Sequence, residues 1–98
     1  PPIRFARGCQ VADSLIANGC ESSGRVANSV LFRGVTVAED ADVENCIIMQ
    51  NTKIGRGAHL RNMIIDKDVT VIEGARRVAF PDSPLIIPKG SVVEGVSA

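Results

Sequence analysis

Three six-residue segments decide the fold of this chain: VANSVL (residues 26–31), VENCII (residues 43–48) and LRNMII (residues 60–65). Each segment begins 17 residues after the previous one and carries Asn at its third position. The stretches 35–41, 52–58 and 69–75 align at the same spacing. Because a fixed internal period is the signature of stacked repeats, the sequence predicts a solenoid with a 17-residue coil.

The apolar positions inside each repeat define the shape of one coil. Apolar residues begin short segments in steps of five, six and six residues, from residue 26 through residue 71. A helix does not explain these steps, because 17 residues at about 100° each advance the direction by about 260°, so equivalent residues would not share a face. We therefore expect an all-β, single-stranded parallel β-helix, a hexapeptide-repeat solenoid of about four to five coils with three short strands per coil.

The repeat also sets the expected bounds of the domain. An earlier copy, VADSLI (residues 11–16), fits after a shortening by two residues within residues 22–25. Beyond residue 75 the period is lost in a segment rich in Arg and Pro. We expect one domain in a C-terminal piece of a longer chain. Its parts are an N-terminal cap (1–10), repeat coils (11–75) and a C-terminal capping segment (76–98).

Two columns of residues mark the corners of the coil. Gly, Asn and Asp tolerate a positive φ, and amide side chains stacked one coil apart can bond to one another. Such residues recur at both corners, which are therefore expected to have a structural role. The first column is Asp13, Asn28, Asn45 and Asn62, and the second column is Gly19, Gly34, Asn51 and Asp68.

Composition excludes several functional classes. The 98 residues carry 11 basic and 11 acidic side chains, so no excess positive charge attracts nucleic acid. No window approaches the roughly 20 apolar residues of a membrane span. Twelve Val and ten Ile against four Leu are typical of strands. With no signal-peptide pattern and three cysteines that lack CxxC spacing, we expect a cytoplasmic protein with reduced thiols and with neither nucleic acid nor membrane as partner.

Residues suited to catalysis or metal binding are few. His59 is the single His, so a three-His zinc site is excluded, and no carboxylate stands at a motif-like position to orient His59 as a general base. The acids Glu39, Asp40, Asp42 and Glu44 cluster around one turn and are interpreted as a solvated corner rather than a metal site. The chain contains neither a phosphate-binding Gly-rich loop nor a nucleophile elbow. We expect no catalytic residue, no metal site and no cofactor in this domain.

Basic residues outside the inward positions are the remaining candidates for a binding role. Several of them could face a phosphorylated effector or an acidic patch of another domain, because guanidinium and ammonium groups bind phosphate and carboxylate. Ordinary solvated surface charge is the alternative. These residues are Arg33, Arg56, Arg61, Lys67, Arg76 and Arg77.

Four phrases of the repeat carry a family resemblance. Residues 14–20 (SLIANGC), 28–35 (NSVLFRGV), 45–50 (NCIIMQ) and 64–69 (IIDKDV) resemble the carboxy-terminal domain of bacterial glucose-1-phosphate adenylyltransferase, also called ADP-glucose pyrophosphorylase. The likeness is to the regulatory subunit type of glycogen biosynthesis, and it covers residues 1–75 well and the tail loosely. It implies that the β-helix is left-handed, against the usual right-handed crossover rule.

The resemblance implies that an N-terminal nucleotidyltransferase domain, which would bind ATP and magnesium, lies outside this chain. The parent reaction would convert ATP and glucose 1-phosphate into ADP-glucose and pyrophosphate, and the 98 residues alone would be inactive. This domain would pack against its own catalytic domain, contact other adenylyltransferase subunits and share an allosteric site for a phosphorylated effector. Arg61 lies near the place where some relatives present a basic side chain to the effector. Arg33 and Lys67 are further candidates for this contact.

Two other functions stay open. Hexapeptide-built prisms include acyltransferases, which normally assemble as trimers with His and acyl-carrier sites between prisms. A pure oligomerisation scaffold without a ligand is the second alternative. Acetyl-CoA binding would support the first alternative. Self-association without a response to sugar phosphates or nucleotides would support the second.

Overall fold

Short strands and tight turns make up the described chain. The computed structural model describes residues 1–95, and within this range it contains 16 strands and no helix. Every strand is two or three residues long and pairs in parallel with strands of the neighbouring coils. Three sheets result, one for each side of a three-walled coil. The predicted parallel β-solenoid is confirmed, and its left hand is what the family resemblance implies. No helix in the described range is long and apolar enough to cross a membrane.

The chain passes through sheet 1, sheet 2 and sheet 3 in turn. Sheet 1 consists of β1 (Arg4–Phe5), β4 (Glu21–Ser22), β7 (Thr36–Val37), β10 (Lys53–Ile54), β13 (Thr70–Val71) and β16 (Val92–Val93). Sheet 2 consists of β2 (Gln10–Ala12), β5 (Arg25–Ala27), β8 (Asp42–Glu44), β11 (His59–Arg61) and β14 (Arg76–Val78). Sheet 3 consists of β3 (Leu15–Ile16), β6 (Val30–Leu31), β9 (Ile47–Ile48), β12 (Met63–Ile65) and β15 (Leu85–Ile87).

The stacking register follows the sequence repeat. Val26 pairs with Val43, and Val43 pairs with Leu60, so equivalent residues lie one above another as expected. Sheet 1 keeps the 17-residue step at its start, where Arg4 pairs with Glu21. The repeat read from the sequence is therefore the repeat of the backbone hydrogen bonds.

One corner is two residues shorter than the equivalent corners above it. Val11 pairs with Val26, a step of 15 residues, because residues 22–25 turn more tightly from sheet 1 to sheet 2. A Cβ atom at Gly24 would lie only 2.5 Å from the carbonyl oxygen of Ala41. Only glycine permits so close an approach of two chain segments. The predicted shortening by two residues is confirmed at this corner.

The interior is filled by stacked aliphatic columns. Neighbouring residues of a strand point to opposite faces, so each two-residue strand contributes one inward side chain. These columns form one continuous core, against which Ile3, Ile16 and Ile87 pack while partly exposed. Its largest fully buried members are Leu31, Ile48, Ile54, Leu60, Met63, Ile65, Val26, Val35, Val37, Val43, Val69 and Val71.

Buried hydroxyl groups complete the backbone hydrogen bonding near the corners. Ser29 Oγ donates to a carbonyl two residues earlier (2.8 Å) and accepts from the amide of Cys46 (3.1 Å). Thr52 Oγ1 donates to the carbonyl of Asp66 (2.8 Å) and accepts from the amide of Val69 (3.2 Å). Each hydroxyl thus supplies an acceptor for an amide of the next coil, which would otherwise be buried without a partner.

Both corner columns adopt the predicted backbone conformation. All four residues of the first column have φ between 47° and 60°, and those of the second column have φ between 56° and 80°. Asn45 Nδ2 donates to Asn62 Oδ1 (2.7 Å), and Asn62 Nδ2 donates to the carbonyl oxygen of Ala79 (2.6 Å). The columns therefore serve as turn ladders.

The two ends of the stack differ. At the N-terminal end, the inward side chains of Phe5 and Val11 stay 51% and 39% exposed, because no coil lies below them. At the other end, Arg77 occupies the inward column above Leu60, and its guanidinium donates to the carbonyl oxygen of Glu94. A side chain thus reaches across the C-terminal end of the core, whereas the N-terminal end is open.

The expected capping segments are built into the stack. Residues 1–10 contain β1 and the first residue of β2, which pair with the next coil. Residues 76–95 contain β14, β15 and β16, and a turn between β14 and β15 is closed by an isolated bridge from Phe80 to Ser83. Residues 96–98 of the predicted C-terminal segment lie outside the described residues.

Candidate functional site

The three outer faces of the prism differ in chemistry. Sheet 1 turns mainly polar side chains outward, in a column that includes Arg4, Lys53 and Thr70. Sheet 2 carries charged side chains, and sheet 3 carries aliphatic side chains. The last two faces are candidates for binding, because one concentrates charge and the other exposes apolar area.

The outer side of sheet 3 exposes a column of five aliphatic side chains. Strand pairing places each of them next to the following one. This column, named here the apolar face, consists of Leu15, Val30, Ile47, Ile64 and Ile86. Leu15 is 72% exposed, Ile47 39% and Ile86 66%. Strands with one solvated face normally place polar residues on it, so the apolar face has the character of an interface.

Two borders turn the apolar face into a shallow trough along the stack. A groove between this face and the Asn corner has Pro81 and Pro84 of the turn after β14 at its upper end. On the opposite border, Phe32 lies beside the lower part of the face and is 37% exposed. Both borders thus extend the apolar surface beyond the central column.

The apolar face is absent from the candidates derived from the sequence, although a signal for it exists. Val30–Leu31, Ile47–Ile48 and Ile64–Ile65 are apolar doublets within strands. Since neighbouring residues of a strand point to opposite faces, only one member of each doublet can face the core. In each doublet the second residue is buried and the first faces outward. Adjacent apolar residues in a repeat strand therefore indicate an outer face that another surface can cover.

Sheet 2 carries four charged side chains in one ion-pair network. Arg25 Nη1 lies 2.7 Å from Asp42 Oδ1, and Arg25 Nη2 lies 3.0 Å from Glu44 Oε1. Arg61 Nη2 lies 3.1 Å from Asp42 Oδ2, and Arg61 Nη1 donates to the carbonyl oxygens of Asp42 (3.3 Å) and Leu60 (3.0 Å). The side chain of Arg61 is only 18% exposed. Arg61 therefore clamps neighbouring coils together.

These charges control the ionisation of nearby groups. Partial burial acts to raise the pKa of the Asp42 carboxyl, but hydrogen bonds from Arg61 and Arg25 and their positive charges outweigh it, so this pKa lies below its ordinary value. His59 lies between Asp42 and Arg76 in the same column. Partial burial and the charges of Arg61 and Arg76 lower the pKa of His59, so its imidazole is mainly neutral at pH 7.

The three effector candidates lie in two separate places. Arg61 lies on sheet 2 within the ion-pair network. Arg33 and Lys67 are exposed at the corner between sheets 3 and 1, in one column with Gln50 between them. This corner lies across the prism from sheet 2. One small ligand therefore cannot contact all three side chains of a single domain.

The acidic cluster predicted at one turn is divided between a corner and a sheet. Glu39 and Asp40 lie at the corner between sheets 1 and 2, where Arg56 Nη2 is 3.5 Å from Glu39 Oε1. Asp42 and Glu44 belong to β8 and face the two arginines of the ion-pair network. The interpretation as one solvated corner is wrong for this second pair, because the strand begins at Asp42. Within residues 1–95, no group of three or more His, Cys, Asp or Glu residues is placed to hold a metal ion.

The cysteines have the environment of structural thiols. Cys20 and Cys46 are buried, Cys9 is partly buried, and all three are free. Burial raises the pKa of the Cys20 and Cys46 thiols. Their Sγ atoms donate to the carbonyl oxygens of Phe32 (3.0 Å) and Glu44 (3.3 Å). Both thiols therefore resemble the buried hydroxyls in their bonding.

Comparison with known proteins identifies relatives of this prism. The family model described as GlmU-like, C-terminal hexapeptide, matches residues 1–78. The glucose-1-phosphate adenylyltransferase of Corynebacterium jeikeium is 45% identical over 98 residues, which cover 95% of this chain and 24% of the relative. The enzyme of the same name from Bradyrhizobium diazoefficiens is 41% identical over 80 residues (76% of this chain, 19% of the relative). That from Bacillus thuringiensis is 36% identical over 74 residues (76% and 20%). The chain thus spans about a fifth to a quarter of the length of these curated relatives.

Proposed function

Because this chain belongs to the family of GlmU-like C-terminal hexapeptide domains, we propose that it is the assembly and regulatory domain of a glucose-1-phosphate adenylyltransferase subunit in glycogen biosynthesis. The observation that carries the proposal is the match of nearly the whole chain to a short part of proteins with that name. The larger part of such a subunit would hold the nucleotidyltransferase site with its ATP and magnesium. In the cytoplasm, the present domain would supply contacts to that site's domain rather than chemistry.

The outer surfaces support a role in assembly. The apolar face is suited to contact with another protein surface, because contiguous exposed apolar area of this kind marks interaction sites. Stacking of coils holds its side chains at a fixed spacing. The proposed partners are the catalytic domain of the same subunit and other adenylyltransferase subunits in a homo- or hetero-oligomer.

A regulatory role would use the basic side chains. Arg33 and Lys67 are exposed and form no ion pair among the residues that the structure describes, so both are accessible to a phosphate group. Arg61 is held by Asp42, so an effector that binds Arg61 must displace a carboxylate. We therefore propose Arg33 and Lys67 as one contact region for a phosphorylated effector and Arg61 as a separate region that requires this displacement.

Product formation by the full-length protein tests the proposed activity. The protein from the same reading frame, purified with any co-expressed partner subunit, is expected to release pyrophosphate and form ADP-glucose from ATP and glucose 1-phosphate. The 98-residue chain alone is expected to form none. Failure of the full-length assembly to form ADP-glucose would contradict the proposal, and acetyl-CoA binding by the 98-residue chain would favour an acyltransferase instead.

Substitution of the basic residues tests the regulatory part. Arg61→Ala, and separately Arg33→Ala with Lys67→Ala, are compared in the full-length enzyme against a panel of sugar phosphates. We expect at least one of these variants to raise the half-maximal effector concentration about tenfold, the loss of a charge-assisted phosphate contact. Arg56→Ala is the control, because Arg56 is paired with Glu39 at a different corner. An unchanged response removes the substituted residue from the effector site.

A further inference from the structure

We propose that the apolar face of sheet 3 is the surface on which the preceding part of the same polypeptide docks, while sheets 1 and 2 stay outside this contact. The proposal rests on the proposed function, since it requires that the chain is one domain of a longer subunit. It assigns the interdomain contact to one of the three sides of the prism and to five named side chains.

The chemistry of the three faces favours sheet 3. Its outward column contains no charged residue and no hydrogen-bonding side chain, so covering it removes apolar area from water without desolvating a polar group. A partner on sheet 2 would desolvate the ion-pair network, which is costly for charges that are now partly solvated. A partner on sheet 1 would have to cover Arg4, Glu21 and Lys53.

The borders of the face also suit a covered surface. Phe32 and Phe80 are two of the three Phe residues of the chain, and they are 37% and 76% exposed. Phe80 belongs to the same turn as Pro81 and Pro84, which line the upper groove. Aromatic side chains provide large contact area and are enriched in protein interfaces.

The size of the face argues for an occupant joined through the polypeptide. Five strands about 4.8 Å apart make a strip about 19 Å tall and roughly 10 Å wide, on the order of 200 Å². A stable complex of free partners buries about 800 Å² on each side, so this strip is too small to hold a second copy of the chain by itself. A joined domain has an effective concentration in the millimolar range, and a smaller contact then suffices. The curated relatives extend far beyond the matched part, which supplies such a domain.

Cysteine labelling tests this proposal. Ile47→Cys places a thiol at the centre of the apolar face, and Thr70→Cys places a matched thiol on the outer side of sheet 1. Both are made in a Cys9→Ser background, where the remaining Cys20 and Cys46 are buried. We expect Ile47→Cys to react with a maleimide at least tenfold more slowly in the full-length protein than in the 98-residue chain. Thr70→Cys should react at similar rates in both proteins.

Each alternative occupant gives a different labelling result. Equal rates for Ile47→Cys in the two proteins overturn the proposal. Protection that is already present in the 98-residue chain and increases with its concentration overturns it in favour of a second copy. Protection of the full-length protein that is lost on dilution overturns it in favour of a neighbouring subunit. ADP-glucose synthesis is measured separately on the unsubstituted full-length protein, so failure of the proposed function is distinguished from failure of the docking proposal. Ile64→Cys repeats the test one coil higher.

Discussion

At the scale of single residues, the backbone at the corners determines which side chains occur there. Among residues 1–95, every non-glycine residue with a positive φ is Asn or Asp. Their short polar side chains bond locally and stabilise this left-handed conformation, which most side chains adopt only at a cost. The 17-residue alignment reveals these columns without a structure. It does not reveal the hydrogen bond from Asn62 to Ala79, because Ala79 lies in a segment that departs from the repeat.

Substitution of Asn62 tests this role. Asn62→Ala loses two amide hydrogen bonds and forces a β-carbon into φ 60°, and we expect the free energy of unfolding to fall by about 2 kcal/mol. Asn62→Gly loses the same hydrogen bonds but accepts the conformation, so it should be less destabilised, by about 1 kcal/mol. Urea denaturation of both variants checks the difference. Equal loss in both would show that the conformation contributes nothing.

A charge placed in an inward column tests the assignment of faces. Ile54 is fully buried between Val37 and Val71, and Lys53 beside it faces solvent. Ile54→Asp is expected to lower the free energy of unfolding by at least about 3 kcal/mol, since it buries a carboxylate without a partner. Lys53→Asp should change it by only about 0.5 kcal/mol. Thermal melting measures both, and similar melting temperatures for the two variants would contradict the assigned register.

At the scale of elements, the period predicts the strands better than it predicts what covers them. The stacking of Val26, Val43 and Leu60 follows from the spacing alone. The apolar face requires a further step, because a two-residue apolar strand has one residue on each side of the sheet. The ion-pair network requires the pairing of coils to be known, since Arg61 and Asp42 are 19 residues apart in the chain and meet only across the stacked strands.

The ion-pair network predicts a defined dependence of stability on pH. The pKa of Asp42 is lowered in the folded chain, so its ionised form stabilises the fold above its ordinary pKa of about 3.9, and this contribution is lost as the pH falls through the lower folded value. Asp42→Asn should therefore be destabilised by about 1 kcal/mol at pH 7 and match the unsubstituted chain at acidic pH well below 3.9. Denaturation at several pH values measures this, with the exposed Asp82→Asn as control. A difference that persists at acidic pH would assign the effect to packing.

At the scale of the whole molecule, each coil contacts mainly the coils above and below it. Stability is therefore close to a sum of coil and interface contributions, and the coils at the ends have only one neighbour. The sequence predicts that both ends need a cover. It does not predict that Arg77 reaches across one end while Phe5 stays half-exposed at the other, because these positions lie outside the regular repeat. The hand of the coil likewise follows from the family resemblance and not from the period.

Hydrogen exchange should reveal this gradient along the stack. Amides of the central strands β8, β9 and β11 are expected to exchange at least about tenfold more slowly than those of β2 and β3, because an end coil can open without breaking the central coils. Mass spectrometry of peptic fragments resolves these segments. Uniform protection along the chain would show that the stack opens only as a single unit.

The short corner at Gly24 shows where this architecture accommodates changes in length. Two residues fewer between sheets 1 and 2 leave every later pairing at its regular step, because the turn absorbs the difference before the next strand begins. Evolution can therefore alter such a protein by two distinct routes. Insertions and deletions among homologous chains should concentrate at the three vertices, whereas positions within the walls should vary by replacement alone.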